Sequence, residues 1–182
     1  MEKKKLLLHS CCAPCSSGVL EELNKNYEIT VLFYNPNIFP KEEYDLRRDE
    51  QIKFIQKLKP EVEVDFKELN YNPEEYYEFV LGFENEPEGG ARCKRCYELR
   101  LDMAGKYAKE NNFDLFTTTL SVSPYKNANY LNELGLEISS KYGVEYLISD
   151  FKKKDGYLKS IQNSKKYGLY RQKYCGCEFS KR

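Results

Sequence analysis

Long apolar runs are absent from this sequence of 182 residues. No stretch approaches the roughly 20 consecutive apolar residues that a membrane-spanning helix needs. The basic N-terminus precedes an apolar run of only Leu6 to Leu8, which is too short for a secretory signal. We therefore expect a cytoplasmic protein that has no membrane partner.

Net charge is also absent, since 29 basic side chains balance 29 acidic ones. A neutral chain whose charges were evenly distributed would give little reason to expect nucleic-acid binding. Residues 151–182, however, contain ten Lys or Arg and only two acidic residues. Tyrosines interleave with these charges, a pattern that suits a polyanion whose bases stack on aromatic rings; an ordinary solvated face is the alternative. The candidate nucleic-acid contacts are Lys152, Lys153, Lys154 and Arg171.

Apolar and charged residues alternate in the manner of an α/β protein. Five short apolar runs end in turn signals, and helical patterns separate them, which predicts a parallel sheet of about five strands with helices on both faces. We expect a single domain over residues 1–182 with a basic, cysteine-containing C-terminal segment at 151–182. The predicted strands lie near 6–8, 28–34, 62–66, 114–120 and 144–148, and the predicted helices near 17–25, 40–59, 72 onward, 93–111, 127–142 and 157–166.

The first predicted strand runs directly into three thiols. The stretch from Leu6 to Gly18 reads LLLHSCCAPCSSG, and it predicts that Cys11, Cys12 and Cys15 lie at the ligand-binding edge of the sheet. Nucleotide-binding relatives of such a fold carry a glycine-rich phosphate loop at this place. Here cysteines replace it, which indicates redox or metal chemistry. Ser16 or Ser17 is the predicted cap of the following helix.

Seven cysteines in a reducing compartment are more typical of ligands or redox groups than of structural disulfides. Cys93 and Cys96 begin a predicted helix, where the helix dipole favours thiolates. Together with Cys11 and Cys12 they give four candidate thiolates, which fit a zinc ion or a four-iron, four-sulfur cluster. Neighbouring side chains on an extended backbone diverge, which favours the larger cluster; zinc and free buried thiols remain alternatives.

Cys175 and Cys177 form a second kind of pair. A disulfide across one intervening residue departs from relaxed geometry and is readily reduced, so the pair suits a redox relay beside a cluster. The pair is alternatively a ligand set for a second metal, together with Cys15 or an aspartate, or a terminal pair without a role. Cys15 is equally well explained as a ligand and as a buried filler.

Three side chains are candidates for donating a proton. His9, the only histidine, precedes the thiols and is either an acid or hydrogen-bonded scaffolding. Lys126 follows a hydroxyl-rich strand end that we expect at the same edge of the sheet. Asp150 is the third candidate.

Five motifs together resemble the cobalamin-independent epoxyqueuosine reductases, and the resemblance covers nearly the whole chain. In sequence order they are LLLHSCCAPCSSG, RCKRCYELRLDMA, TTTLSVSPYKN, SDFKKKDGY and YRQKYCGCEFS. The resemblance implies reduction of epoxyqueuosine to queuosine at the wobble position of tRNA, with an unidentified electron donor. It also implies cluster ligation by Cys11, Cys12, Cys93 and Cys96 and a redox-active disulfide between Cys175 and Cys177.

The implied fold resembles the nucleotide α-hydrolase (PP-loop, Rossmann-like) group, without ATP or cobalamin and with a second iron as a further possibility. Two other functions stay open at this point. A PP-loop-like tRNA thiolation enzyme would show an intact glycine-rich phosphate loop, which this sequence lacks. A zinc-stabilised RNA-binding module would bind zinc and tRNA without turnover.

Overall fold

A computed structural model describes residues 1–153 and 155–181 of the chain. The predicted nucleic-acid contact Lys154 lies outside these described residues. The strands are β1 (Lys4–His9), β2 (Tyr27–Phe33), β3 (Val64–Glu68), β4 (Leu115–Thr118) and β5 (Glu145–Tyr146). The helices are α1 (Ala13–Leu23), α2 (Lys41–Leu58), α3 (Pro73–Phe79), α4 (Ala91–Glu110), α5 (Ala128–Tyr142) and α6 (Gly156–Tyr167). Short 3-10 turns cover Leu120–Val122 and Glu178–Ser180.

The five strands form one parallel sheet in the order β3-β2-β1-β4-β5. The central strand β1 is buried on both faces, as an apolar run such as Leu6 to Leu8 predicts. Leu7 packs into a core with residues of α4 and α5, whereas Leu6 and Leu8 pack into a core with residues of α1 and α2. The predicted parallel α/β fold with helices on both faces is confirmed.

The predicted strands at 114–120 and 144–148 are shorter in the structure. β4 ends at Thr118 because the chain then turns into the 3-10 segment Leu120–Val122. β5 comprises only Glu145–Tyr146. No helix among the described residues has the length and apolar character that crossing a membrane requires.

The start of α1 differs from the sequence prediction. The helix begins at Ala13, and the Cys12 sulfur, not a serine hydroxyl, accepts a hydrogen bond from the Cys15 amide at 3.4 Å. Ser16 and Ser17 lie within the helix, where their hydroxyls donate to main-chain carbonyls three residues earlier. The predicted serine cap is wrong because Pro14 fits the first turn of a helix, where a missing N–H costs nothing.

Candidate active site

The carboxyl ends of β1, β2 and β4 are tied together by His9, which has no exposed surface. Its Nε2 lies 3.1 Å from the Tyr34 carbonyl and 3.2 Å from Asn35 Oδ1, while Nδ1 lies 2.9 Å from Thr118 Oγ1. Since both partners of Nε2 are acceptors, Nε2 carries the ring proton, and the Thr118 hydroxyl donates to Nδ1.

Burial, aided by the charge of Arg100, lowers the pKa of His9 to about 4. The ring is therefore neutral at neutral pH, and both of its nitrogens are already engaged in hydrogen bonds. This arrangement favours the scaffolding interpretation of His9 over its role as a proton donor.

The sulfur atoms of Cys11, Cys12 and Cys15 lie within 4.8 Å of one another. Hydrogen bonds from the Cys12 and Cys15 thiols hold the pKa of Cys11 well below its usual range, and the same contacts raise the pKa values of Cys12 and Cys15. Cys11 is therefore the thiol of the three that loses its proton most readily. The expected divergence of Cys11 and Cys12 is wrong, because β1 ends at His9 and Cys12 is already the N-cap of α1.

Cys93 and Cys96 lie in the first two turns of α4 and are buried. Cys93 packs in the same apolar core as Cys11 and Cys12 and accepts a hydrogen bond from the Gly89 amide at 3.2 Å. Burial raises the pKa values of both α4 thiols, to about 12 for Cys96. The expected stabilisation of their thiolates by the helix end is outweighed by this loss of hydration.

The segment that carries Cys175 and Cys177 is anchored by Arg47 of α2. The guanidinium donates to the carbonyls of Tyr174 and Cys175, both at 2.9 Å, and the Phe39 amide donates to the Gly176 carbonyl at 2.8 Å. Gly176 has a φ of +134°, which favours glycine.

These contacts bring the C-terminal thiols to α4. Cys177 packs in one apolar cluster with Cys96. Besides burial, the charge of Cys175 contributes to the raised pKa values of Cys93 and Cys96. All seven cysteines are free thiols in the structure. The three cysteine groups of the sequence thus meet at one end of the sheet.

A cavity of about 230 Å³ opens beside these thiols, and Cys11, Cys15, Cys175 and Lys126 contribute to its wall. Burial alone would lower the pKa of Lys126, but the charges of Cys175 and Cys11 raise it more. Lys126 is therefore a cation held next to the thiols. Tyr125 lies at the rim with 78% of its surface exposed.

The basic residues of the C-terminal segment differ in their surroundings. Arg171 lies in the cavity wall and donates to Ser164 Oγ at 3.1 Å, with its guanidinium 5.8 Å from the centre of the Tyr157 ring. The Lys153 side chain is 79% exposed. Lys152, in contrast, donates its ammonium protons to the main-chain carbonyls of Ser123 and Lys126. Lys152 thus fastens the loop beside the cavity.

Two residues of the site were missed by sequence reasoning. Gln172 donates from Nε2 to the Cys12 sulfur at 3.1 Å. Arg100 is 1% exposed and lies one turn after Cys96, to whose carbonyl its Nε donates at 3.4 Å. The spacing of Arg100 from Cys93 and Cys96 places all three on one face of a helix, which is a signal that the sequence offered.

The site fits a thiolate-ligated metal group in two respects. Cysteine sulfurs are the ligands of zinc and of iron–sulfur clusters, and seven cysteines lie here in three adjoining groups. The buried Nη2 of Arg100 also has no hydrogen-bond partner among the described residues. An anionic group bound at the site would accept a hydrogen bond from this nitrogen.

The fold resembles that of a solved structure, the U34-tRNA thiolase NcsA from Methanococcus maripaludis with its [4Fe-4S] cluster. The TM-score is 0.58 at 13% sequence identity, and the likeness covers all of this chain and 63% of the thiolase. At this identity the likeness shows the fold alone, and it supports the expected α/β architecture.

Sequence comparison is more specific. The family model "Epoxyqueuosine reductase QueH" matches residues 6–182. Proteins of that name from Staphylococcus epidermidis and Streptococcus pyogenes serotype M1 are 44% and 42% identical over 98% of this chain, which covers 77% and 71% of their lengths. The protein of that name from Thermotoga maritima is 34% identical over 96% of the chain and 89% of its own length. The chain belongs to the epoxyqueuosine reductase QueH family.

Proposed function

We propose that this oxidoreductase removes the epoxide oxygen of epoxyqueuosine at the wobble position of tRNA and leaves queuosine. The observation that carries the proposal is the meeting of Cys11, Cys15, Cys175 and Lys126 at one cavity, in a chain of this family. The α4 cysteines pack against members of the same two cysteine groups. Reduction of the epoxide breaks two C–O bonds, forms a C=C bond and releases water. The reaction therefore consumes two electrons and two protons.

Cys175 and Cys177 are suited to supply them. Oxidation of their two thiols to a disulfide releases two electrons and two protons, which balances the reduction of one epoxide. An external thiol or other two-electron reductant then returns the pair to the reduced state. Their position between the cavity and α4 supports this assignment.

The proposed cluster ligands are Cys11, Cys12, Cys93 and Cys96, which would hold a four-iron, four-sulfur cluster. Three of them share one packed core, and Cys96 lies one turn further along α4. A cluster bound there would supply one-electron transfer. Cys15, whose sulfur lies within 4.8 Å of Cys11 and Cys12, is placed to ligate a second metal such as an additional iron.

The remaining roles follow from position. Lys126 is half-buried in the cavity wall and donates a hydrogen bond to the oxygen as it leaves. His9 holds the strand ends in register, and Asp150, which lines a neighbouring cavity, is the weaker alternative donor. Arg171 and Lys153 bind tRNA phosphates, and Tyr125 at the rim stacks on a base.

The decisive experiment measures iron, acid-labile sulfide and zinc in protein purified without oxygen. We expect about four iron and four sulfide per chain, and iron in clear excess of sulfide would indicate the additional iron site. Cys96→Ala is expected to lose the cluster, whereas Cys177→Ser, the matched control in the same apolar cluster, keeps it. Colourless protein with zinc alone would contradict the proposal and favour the zinc-stabilised RNA-binding module.

The reaction itself is tested by incubating the loaded protein with tRNA that carries epoxyqueuosine and a chemical reductant. Mass spectrometry of the tRNA nucleosides is expected to show the loss of one oxygen atom from the modified base. Binding of the tRNA without that change would contradict the assignment as a reductase.

A further inference from the structure

Arg100 is a buried cation with little compensation among the described residues. The residue is 1% exposed, and moving a cation out of water is strongly unfavourable unless anions or good hydrogen bonds replace its hydration. Arg47, another buried arginine, has such compensation, because Glu43 Oε1 lies 2.8 Å from its Nε and two carbonyls accept from its Nη atoms.

Arg100 has much weaker partners. Its Nε lies 3.4 Å from the Cys96 carbonyl and its Nη1 lies 3.5 Å from Asn35 Oδ1, both at the long end of hydrogen-bond distances. Nη2 has no hydrogen-bond partner, and no carboxylate in residues 1–153 or 155–181 forms an ion pair with the guanidinium. The Tyr97 ring lies 5.9 Å from the guanidinium carbon and adds a cation–π contact. Within the described part of the chain, no anion pairs with this cation.

Cysteines lie close to this charge, since Cys96 is one turn before Arg100 on α4. Burial lowers the pKa of the guanidinium, but the charges of Cys96, Cys175 and Cys11 raise it more. Two of these thiols belong to the proposed ligand set, and the third belongs to the proposed redox pair. A cluster held by thiolates is negatively charged, and each added electron makes it more so.

We propose that Arg100 is the buried counter-charge of the iron–sulfur cluster and raises its reduction potential. This inference rests on the cluster of the proposed function. A fixed positive charge stabilises the reduced, more negative state over the oxidised state, and the low dielectric of the interior strengthens the effect. Arg100 is thus a positioning and tuning residue, separate from the groups that contact substrate.

The test compares Arg100→Gln, which removes the charge but keeps a hydrogen-bonding amide, with Arg100→Lys, which keeps the charge. The midpoint potential of each loaded protein is measured by spectroelectrochemical titration without oxygen. We expect Arg100→Gln to lower the potential by about 60 mV or more, a tenfold change in a one-electron equilibrium. Arg100→Lys is expected to stay within about 20 mV of the unsubstituted protein.

Leu101→Ala is the matched control, since Leu101 is the next residue of α4 and has no exposed surface. It opens a neutral cavity in the apolar core packed against the same helix, so it is expected to lower the melting temperature and leave the potential unchanged. An unchanged potential in Arg100→Gln, or equal shifts in the Gln and Lys variants, would overturn the proposal. Should Arg100→Gln fail to retain iron, the Lys variant decides: a normal potential supports the counter-charge, and a shifted potential or lost iron refutes it.

Failure of this proposal is distinguishable from failure of the proposed function. Unsubstituted protein that contains only zinc refutes the cluster itself, and with it any role for Arg100 toward that cluster. If the unsubstituted protein contains iron and sulfide, and its midpoint potential does not change when the charge of residue 100 is removed, the Arg100 proposal alone is refuted.

Discussion

Different interactions set the pKa values of the individual thiols at this site. Cys11 is stabilised as a thiolate by two neighbouring thiols, whereas Cys96 loses hydration and has its pKa raised. Metal binding requires deprotonated sulfur. The α4 thiols, whose pKa values are raised, therefore release protons when they bind a metal, whereas Cys11 needs less deprotonation.

At the same scale, Cys177→Ser is expected to abolish sustained turnover. Serine cannot form a disulfide, so the pair loses its capacity to supply two electrons, and multiple-turnover activity with an external reductant is expected to fall more than about tenfold, a loss above about 1.4 kcal/mol in activation free energy. Thiol counting supplies a second measurement. Mild reduction of oxidised, unsubstituted protein is expected to expose two additional thiols, and the serine variant none.

Retention of full multiple-turnover activity by Cys177→Ser would reduce the proposed disulfide to a structural role. Its iron content serves as the control, because Cys177 is outside the proposed ligand set. A variant that loses both iron and activity would show instead that Cys177 is a metal ligand.

At the scale of elements, Gly135 lets α5 pack closely against Tyr146 of β5. A Cβ atom added to Gly135 would lie 2.4 Å from the Tyr146 ring, whereas a Cβ atom added to Gly18 of α1 would lie 3.4 Å from the flexible Lys159 side chain. Both glycines lie inside helices, where alanine is intrinsically favoured by about 0.5–1 kcal/mol. The two positions therefore separate helix propensity from packing.

Gly135→Ala is expected to destabilise the protein by about 1–3 kcal/mol through overpacking, and Gly18→Ala is expected to be neutral or stabilising. Thermal unfolding of the loaded protein measures both, since about 1 kcal/mol shifts the melting temperature of a chain this size by about 2–4 °C. Equal melting temperatures for the two variants would show that Tyr146 moves aside without cost.

The elements also show what the sequence could predict. Apolar runs and turn signals predicted the order and approximate positions of the strands and helices, and parallel topology predicted that thiols from distant motifs would meet. The convergence of Cys11, Cys12 and Cys15 was not predictable, because it depends on α1 beginning at Ala13. The burial of Arg100 was missed because helical spacing identifies a shared face and leaves open which neighbour covers that face.

At the scale of the whole molecule, the basic C-terminal segment borders the cavity. Because tRNA binding releases counterions from phosphates, the proposed affinity falls steeply with salt. Lys153→Ala is expected to weaken tRNA binding and reduce the salt slope by about 0.7–0.9, the contribution of one phosphate contact. Binding isotherms at several salt concentrations measure it.

Lys25→Ala is the control, since Lys25 is exposed and precedes β2 at the opposite edge of the sheet. Its affinity and salt slope are expected to match those of the unsubstituted protein. Equal losses in the two variants would indicate diffuse electrostatic attraction in place of a phosphate contact beside the cavity.

The two sides of the cavity are attached to the fold in different ways, which affects how often each side opens. Cys11 follows the central strand, where amide hydrogens exchange with solvent only when much of the sheet unfolds. The segment of Cys175 and Cys177 is held mainly by single hydrogen bonds, among them those from Arg47, Gln172 and the Phe39 amide. We therefore expect the side of the cavity formed by Cys175 to open more often than the side that follows β1, and so to admit a reductant between turnovers.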